Sequence, residues 1–418
     1  MDLDSHRVPA RRAAACRRAA RAIVIASLVS AAIGAGAADS HAAFRYIRSF
    51  GSGNGMQSGP GQLSTPAGTG FSPTTGDLFV ADSQNNRVQE FRPGGAFRSL
   101  FGGTGSGNGQ FNGPSGLAVN HAGQIYVSET GNKRIQEFSP SRTFVRSFGT
   151  FTSSPSYLAL APGGDVYVND GSVINHYTAA GALVGSFGGT GSGDGQFNSV
   201  VSGIGIGPHG HVFAGDYSGA RVEEFASNGT FVRSLANSGQ AAVLGPIGVG
   251  VGRAGHIFVS DNGHERVIEL RPDASFVRAF GNAGAGKLDN PGPLSVDCAG
   301  DVYVSDIDAG RVREYGDPHL PAPPCRPNIK KFRIKPKTFQ PGGKASFRYR
   351  LNEDARVKIK IDGVGSLAAH NATAGANTQS FDGHVKGKVL SPGTYRATIV
   401  ANAHGLKSTP RHVKFTIL

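Results

Sequence analysis

The feature that most constrains this chain is a segment at residues 123–138, GQIYVSETGNKRIQEF, that recurs with variations six times. Its residues 125–127 are β-branched or aromatic, which favours a strand over a helix. Residues 130–132 include Gly and Asn, which tolerate the positive φ of a tight turn. Residues 134–138 then alternate in side-chain character. Each copy therefore predicts a strand, a tight turn and a second strand.

The copies follow one another at a nearly constant spacing. An acidic residue ends the first strand of each copy: Asp82, Glu129, Asp170, Asp216, Asp261 and Asp306. The separations are 47, 41, 46, 45 and 45 residues. Five copies place an arginine five residues later, at Arg87, Arg134, Arg221, Arg266 and Arg311, whereas the third has Val173. A period in the forties with several short strands per unit is typical of a propeller blade.

The order of the strands predicts how such a ring would close. Each unit adds a glycine-rich inner strand and an outer strand to the hairpin, which makes four strands. One outer strand, at 44–50, precedes the first hairpin, and no outer strand follows the last hairpin strand at 312–315. Pairing these two would remove the exposed edges. The sequence thus predicts an all-β chain, with a six-bladed β-propeller whose N-terminal strand closes the last blade.

The pattern Pro-x-Gly-hydrophobic-Ala, followed by Gly-x-hydrophobic-Tyr-Val-x-Asp-x-x-Asn-x-Arg-hydrophobic-Gln-x-Phe, resembles the NHL repeat. Residues 66–91 and 114–138 carry the best matches, and the resemblance covers about residues 44–316, which places the propeller domain at 43–316. It implies a propeller whose upper face binds protein, nucleic acid or glycan, with the acid and the arginine of each copy bracing the hairpin. The candidate binding residues lie in the hairpin turns: Gln84, Asn85, Asn86, Asn132, Lys133, Tyr217, Asn262, His264 and Asp308.

Propellers of this kind also include metal-dependent hydrolases and lyases with catalytic groups along the central channel. The inner strands here consist of Gly, Ala, Leu, Ile and Val, so we predict no catalytic residue, no metal and no cofactor. Four histidines in loops are expected to be solvated: His121, His209, His211 and His256. A zinc site at His209 and His211 is the alternative. The glycine-rich loops at 103–111 and 189–197 have at most one carboxylate each and are interpreted as structural.

Residues 1–42 have the form of a secretory signal peptide, with six arginines before an apolar run and small residues up to Ala42. An uncleaved membrane anchor is the alternative. Cleavage would remove Cys16 and leave Cys298 and Cys325, which in an exported protein predict a disulfide closing a loop of 28 residues. Two free thiols are the alternative. The predicted location is outside the cell or at its surface.

A Pro-rich linker is predicted at 317–327, and a β-sandwich at 328–418 that resembles bacterial immunoglobulin-like modules. Apolar and polar residues alternate along 344–351 and 356–361, which predicts a hairpin with one apolar face and one basic face. The basic face would comprise Arg348, Arg350, Arg356, Lys358 and Lys360.

The charge is concentrated in this C-terminal region. Residues 326–418 contain 18 Lys and Arg against 4 Asp and Glu, a net +14, whereas residues 43–325 contain 18 against 22, a net −4. Such a basic face favours an anionic cell-wall polymer or membrane surface as partner, with a merely solvated face as the alternative. The signal peptide and the acidic propeller argue against nucleic acid. We therefore predict a monomeric envelope-associated binding or scaffold protein, with a propeller-type extracellular lyase or hydrolase as the alternative.

Overall fold

The computed structural model describes residues 44–52, 57–236, 238–252, 254–317, 329–351, 355–373, 375–403 and 406–418. The predicted signal peptide, all of the predicted linker except residue 317, and Cys325 lie outside these ranges. The predictions made for them stay predictions.

Residues 44–316 form four-stranded antiparallel sheets, six of them among the described residues. The chain enters through β1 (Arg45–Phe50). The first sheet has β2 (Pro66–Phe71), β3 (Leu78–Asp82), β4 (Arg87–Phe91) and β5 (Phe97–Gly102), and the second has β6 (Pro114–Val119), β7 (Ile125–Glu129), β8 (Arg134–Phe138) and β9 (Phe144–Phe148). The third has β10 (Leu158–Leu160), β11 (Val166–Asp170), β12 (Val173–Tyr177) and β13 (Leu183–Gly188), and the fourth has β14 (Val201–Ile206), β15 (Val212–Asp216), β16 (Arg221–Phe225) and β17 (Phe231–Leu235). The fifth has β18 (Pro246–Val251), β19 (Ile257–Asp261), β20 (Arg266–Leu270) and β21 (Phe276–Phe280). The sixth combines β22 (Pro291–Val296), β23 (Val302–Asp306) and β24 (Arg311–Gly316) with β1. Short 3₁₀ turns lie at Ser83–Asn85, Gly239–Ala241, Asn262–His264 and Gly284–Gly286.

The predicted closure by the N-terminal strand is confirmed. β1 pairs antiparallel with β24, from Arg45 opposite Gly316 to Phe50 opposite Val312. Hydrogen bonds also join the sixth sheet to the first: Ser305 Oγ donates to the carbonyl of Ala67 at 2.6 Å, and Thr69 Oγ1 donates to Ser295 Oγ at 2.8 Å. The first and last sheets are therefore direct neighbours, as in a closed propeller.

The burial of the strands follows their order within each sheet. The second strands, such as β3 and β7, are buried at every residue, whereas the outer strands β5 and β9 alternate between half-buried and exposed. A sheet packed between two neighbours explains this, because both faces of its middle strands are covered. The glycine-rich loops end in fully buried aromatic residues, Phe111 and Phe197.

The C-terminal region forms a β-sandwich. Its strands are β25 (Ile329–Lys335), β26 (Thr338–Phe339), β27 (Ala345–Leu351), β28 (Ala355–Ile361), β29 (Gly365–Ser366), β30 (His370–Ala372), β31 (Gly375–Phe381), β32 (His384–Val385), β33 (Lys388–Val389), β34 (Gly393–Ala403), β35 (Leu406–Lys407) and β36 (Arg411–Ile417). One sheet has the order β25-β27-β31. The other has the order β26-β36-β34-β28-β29, with β30 on β28 and β35 on β34, while β32 pairs with β33. Both large sheets contribute to one core, for example through Phe347 and Ile359.

The predicted hairpin at 344–361 is wrong. Its two strands, β27 and β28, belong to different sheets of the sandwich. Alternation correctly gives which side chains are buried, but it does not specify which strand lies alongside. The chain crosses from one sheet to the other between Leu351 and Ala355 instead of folding back within one sheet.

Candidate functional site

The acid that ends each second strand holds the loop leading into its own sheet. Asp82 Oδ1 accepts the backbone N–H of Ser64 at 2.7 Å, and its Oδ2 accepts Arg87 Nε at 2.7 Å. Arg87 Nη2 in turn donates to the carbonyls of Gly59 and Gln62. The arrangement repeats in the second, fourth and fifth sheets, where the ion pairs are Glu129–Arg134, Asp216–Arg221 and Asp261–Arg266. The acid and the arginine therefore fix the upper-face loops.

Two repeats make this brace differently. In the third, which has Val173 in place of arginine, Asp170 accepts the N–H and Oγ1 of Thr152 and the N–H of Ser153. In the sixth, Arg313 pairs with Asp306 at 2.5 Å, two residues beyond the arginine that the repeat pattern predicted. The acid thus keeps its role while its cationic partner changes.

A second set of contacts lies at the opposite end of the sheets. A glutamate of the third strand pairs with an arginine of the outer strand at Glu137–Arg146, Glu224–Arg233 and Glu269–Arg278. In the sixth sheet the arginine comes from β1, where Arg48 Nε lies 2.9 Å from Glu314 Oε2. The N-terminal strand therefore supplies the same ion pair as the outer strands of other sheets.

The expectation of fully solvated histidines does not hold for His211 and His256, which contact glutamates, and His121 is half-buried. His211 Nδ1 lies 2.7 Å from Glu224 Oε1, and His256 Nδ1 lies 2.5 Å from Glu269 Oε1. The sequence showed only that they fall in loops, whereas the fold brings each loop against a buried glutamate. His209 is exposed.

In the sixth sheet, an aspartate replaces the histidine that faces the glutamate in the fourth and fifth sheets. Asp301 occupies the loop position of His211 and His256, so it faces Glu314, and Asp297 lies nearby. Asp297 Oδ2 accepts the hydroxyl of Tyr303 at 3.2 Å. Burial, together with the neighbouring carboxylates, raises the pKa of Asp301 to about 8. Burial also raises the pKa of Glu314 to about 7, against the lowering effect of Arg48.

The inner strands of all six sheets converge on one small cavity of about 30 Å³. Gly68, Gly116, Gly203 and Gly248 stand at the same position of four inner strands, and Tyr157 takes this position in the third. A Cβ at Gly203 would lie 2.3 Å from the carbonyl oxygen of Ile247, so glycine lets the strands approach. The cavity has room for about one water molecule. Burial raises the pKa of the Tyr157 hydroxyl to about 12.

Most of the predicted upper-face residues take part in internal contacts. Asn85 and Asn132 donate to Asp82 and Glu129, and Asn86 donates to Thr104 and accepts the N–H of Gly113. The remaining contacts are Gln84 with Ser64, Lys133 with the carbonyl of Thr152, Asn262 and Asp308 with Asn290, and His264 with Asp261. These contacts connect loops with one another and with neighbouring sheets, so the side chains of the turns have a structural role.

Tyr217 differs from the other predicted residues. It is 45% exposed, and its ring lies against the backbone of Gly245. Val200 is 46% exposed and lies near Tyr217, because their chain neighbours Val201 and Asp216 pair across two antiparallel strands. Leu244 is 55% exposed and directly precedes Gly245, which the Tyr217 ring contacts. We call Val200, Tyr217 and Leu244 the apolar strip.

Sequence reasoning missed Val200 and Leu244. The corresponding positions of the other repeats mostly carry small or polar residues. Thr65 and Asn290, for example, occupy the position of Val200 in the first and sixth repeats. That contrast was the available signal. Apolar residues at two neighbouring positions that are small or polar in other repeats, next to a tyrosine in the adjoining turn, indicate an exposed apolar surface.

The predicted basic residues are all exposed, but they do not share one face. Arg348 and Arg350 point outward from the three-stranded sheet, and Arg356, Lys358 and Lys360 point outward from the larger one. On the three-stranded sheet Arg333 lies directly opposite Arg348. The sandwich therefore presents two basic faces.

Within the described ranges, no group of three or more His, Cys, Asp or Glu side chains is placed to hold a metal ion. The same ranges contain no helix with the length and hydrophobicity needed to cross a membrane. Cys298 lies in the loop between β22 and β23, and its disulfide with Cys325 stays a prediction.

The comparisons with known proteins concern the propeller. The model of the NHL repeat matches residues 111–138, and no curated protein matches the chain. A solved streptogramin B lyase is similar to this structure, with 14% identity over 65% of this chain and 98% of that one and a TM-score of 0.47. A gluconolactonase from Xanthomonas campestris has 14% identity over 62% and 87%, with a TM-score of 0.48. A virginiamycin B lyase from Staphylococcus aureus has 12% identity over 68% and 91%, with a TM-score of 0.46. The four-stranded sheets give residues 44–316 a β-propeller fold, and residues 111–138 of it match the NHL repeat.

Proposed function

We propose that this is an exported, envelope-associated binding protein. In this proposal the upper face of the propeller takes a protein or glycan ligand, and the basic C-terminal sandwich contacts anionic envelope material. The observation that carries the proposal is the apolar strip. Its three side chains are exposed on loops whose backbone is held by buried acids: Leu244 N–H, for instance, donates to Asp261 Oδ1 at 2.7 Å.

A rigid exposed aromatic residue flanked by aliphatic ones is well suited to binding. Little conformational entropy is lost when a ligand covers side chains whose backbone is already fixed. Tyrosine is also enriched among residues that dominate binding energy, because its ring buries much area and its hydroxyl still forms hydrogen bonds. The strip therefore offers an anchor for an apolar peptide side chain or for the face of a sugar ring.

The cavity among the inner strands gives the enzymatic alternative less support. A metal-dependent lyase or hydrolase would need space in the channel for a metal, its ligands and a substrate. The space lined by Gly68, Gly116 and Tyr157 is about 30 Å³, far below the several hundred Å³ of ordinary ligand pockets. Substrate does not fit at this level of the channel.

Site-specific cross-linking tests the upper-face proposal. A photo-reactive residue is placed at 217, and a matched one at Val145, which is similarly exposed on the outer strand β9. Both full-length proteins are irradiated with an envelope extract, and the products are separated by mass into protein and glycan adducts. We expect an adduct from position 217 that Leu244→Ser weakens and that position 145 does not give. Equal labelling at the two positions, or none at 217, would overturn the proposal.

Salt dependence tests the C-terminal part of the proposal. Retention of the full chain on purified anionic wall polymer is expected to fall steeply between about 50 and 500 mM salt, since exposed charges are screened over this range. Retention that does not change with salt would contradict it.

A further inference from the structure

The larger sheet of the sandwich carries a concavity on its outer face. Its volume is about 350 Å³, and its lining comprises Arg356, Lys358, Ala369, Val400, Asn402 and Lys407. The strand register explains its shape. Arg356 pairs with Asn402, which pairs with Lys407, so these three form a row across adjacent strands.

Lys358 lies two residues along β28 from Arg356, about 7 Å away on the same face. It pairs with Val400, and Ala369 precedes β30, which lies beside the same strand. The aliphatic stems of the three basic side chains therefore line the concavity together with Ala369 and Val400. Basic side chains of this length keep their charged ends in water, so we infer that the positive charge lies at the margin of an apolar concavity.

The acidic side chains in the described part of the sandwich interact with residues outside the concavity. Asp362 accepts the hydroxyl of Thr398 at 3.3 Å and lies 3.8 Å from Arg396. Asp382 pairs with His384 at 3.2 Å. Among the described residues, no carboxylate lines the concavity, and its surface is almost entirely apolar because the aliphatic stems of Arg356, Lys358 and Lys407 form it.

We propose that this concavity binds the phosphate headgroup of an anionic lipid at a membrane surface. The inference rests on the proposed anionic partner of the C-terminal domain and names its chemistry. A guanidinium and two ammonium groups match a phosphate oxyanion. The floor of Val400 and Ala369 matches the glycerol carbons next to the phosphate, a feature that a fully hydrated polyanion does not need.

The three-stranded sheet provides a matched control surface. Its outer face carries Arg333, Arg348 and Arg350, which are exposed and do not line the concavity. Two packed sheets are about 10 Å apart, so the outer faces of the sandwich are separated by more than the Debye length of about 8–10 Å. Charges removed from this face should therefore affect a ligand in the concavity only weakly.

The test is co-sedimentation of the full chain with phosphatidylcholine vesicles that contain about one quarter phosphatidylglycerol. We expect R356Q/K358Q/K407Q to weaken binding by about a hundredfold, because each basic residue near an anionic membrane contributes roughly a factor of five. R333Q/R348Q/R350Q removes the same charge and is expected to weaken binding by less than about threefold. A369L fills the floor without changing the charge, and it should also weaken binding. Thermal melting checks that each variant is folded.

The outcomes separate this inference from the proposed function. Equal losses in the two triple variants, or unchanged binding of A369L, would overturn the site. Salt-sensitive retention on soluble poly(glycerol phosphate) without vesicle binding would overturn the lipid assignment while the proposed function stands. Loss of both kinds of retention in the wild type would overturn both. Competition by inorganic phosphate alone would identify a small-anion site instead and would likewise overturn the lipid assignment.

Discussion

At the scale of single residues, a buried carboxylate is stabilised only when donors surround it. Asp82 meets this requirement with the Ser64 N–H, Arg87 and Gln89, all at hydrogen-bonding distance. Asp301 does not, because Glu314 and Asp297 face it. The same residue type is therefore a brace in one place and a proton-binding group in the other.

Replacing the brace acid should be costly. Asp82→Ala is expected to lower the free energy of unfolding by about 3–5 kcal/mol, because it leaves the largely buried Arg87 without its counter-charge. Denaturant titration followed by circular dichroism measures the change. Asp194→Ala, which removes an exposed carboxylate, should change it by less than about 0.5 kcal/mol. Similar effects of the two substitutions would show that Asp82 is not a brace.

Asp301 should make stability depend on pH. Its pKa is raised in the folded state to about 8 from an ordinary value of 3.8, so the folded protein keeps a proton that the unfolded chain releases. The free energy of unfolding must then fall as pH rises from about 4 towards 8. Asp301→Asn should flatten this fall when melting temperatures are compared at pH 5 and pH 9. Asp194→Asn, which removes an exposed carboxylate, should leave the slope unchanged; an unaltered slope in Asp301→Asn would refute the assignment.

At the scale of strands, the pattern of apolar residues along a strand does not determine which other strand pairs with it. The recurring hairpin and its period predicted the order of strands in each propeller sheet, because consecutive strands pair there. The alternation at 344–361 predicted which residues are exposed, yet β27 and β28 pair in different sheets. The candidate site shows the same limit. Tyr217 was found from its turn, whereas Val200 comes near it through strand register and Leu244 through the contact of the Tyr217 ring with Gly245.

The closing strand should contribute strongly to stability. Phe50 on β1 is fully buried, and its ring packs against Phe91 of the first sheet and Tyr303 of the sixth. Phe50→Ala is expected to reduce the free energy of unfolding by about 3–5 kcal/mol through the cavity it leaves. Val145→Ala, on the exposed face of β9, serves as the control in the same denaturant titration. If the two variants unfold alike, β1 does not hold the first and last sheets together.

At the scale of the whole molecule, the chain combines a propeller with a strongly basic sandwich. The sequence predicted both folds and their order, since the repeats and the charge shift are each visible without tertiary information. It did not predict that the basic residues divide between two faces. That division depends on the crossing between β27 and β28, which three residues of turn sequence do not specify.

The predicted disulfide can be measured on a chain that lacks the predicted signal peptide. We expect the protein that begins at Ala43 to take up no alkylating reagent at Cys298 and Cys325 before reduction and two equivalents after it. Cys298→Ser together with Cys325→Ser should lower the free energy of unfolding by about 3–4 kcal/mol, the loop-closure value for 28 residues. Two reactive thiols in the untreated protein would exclude the bond.

The pairing of β1 with β24 also fixes a sequence of events during biosynthesis. Of the propeller strands, Arg45–Phe50 is synthesised first, and Arg311–Gly316 follows only after the strands of five complete sheets. Until then the newborn chain is an open arc, and its earliest strand has no companion in register. An unpaired strand edge of this kind invites association with other chains. An incomplete chain should therefore aggregate more readily than the finished protein. A chaperone that covers β1 would be most useful before β24 has been synthesised.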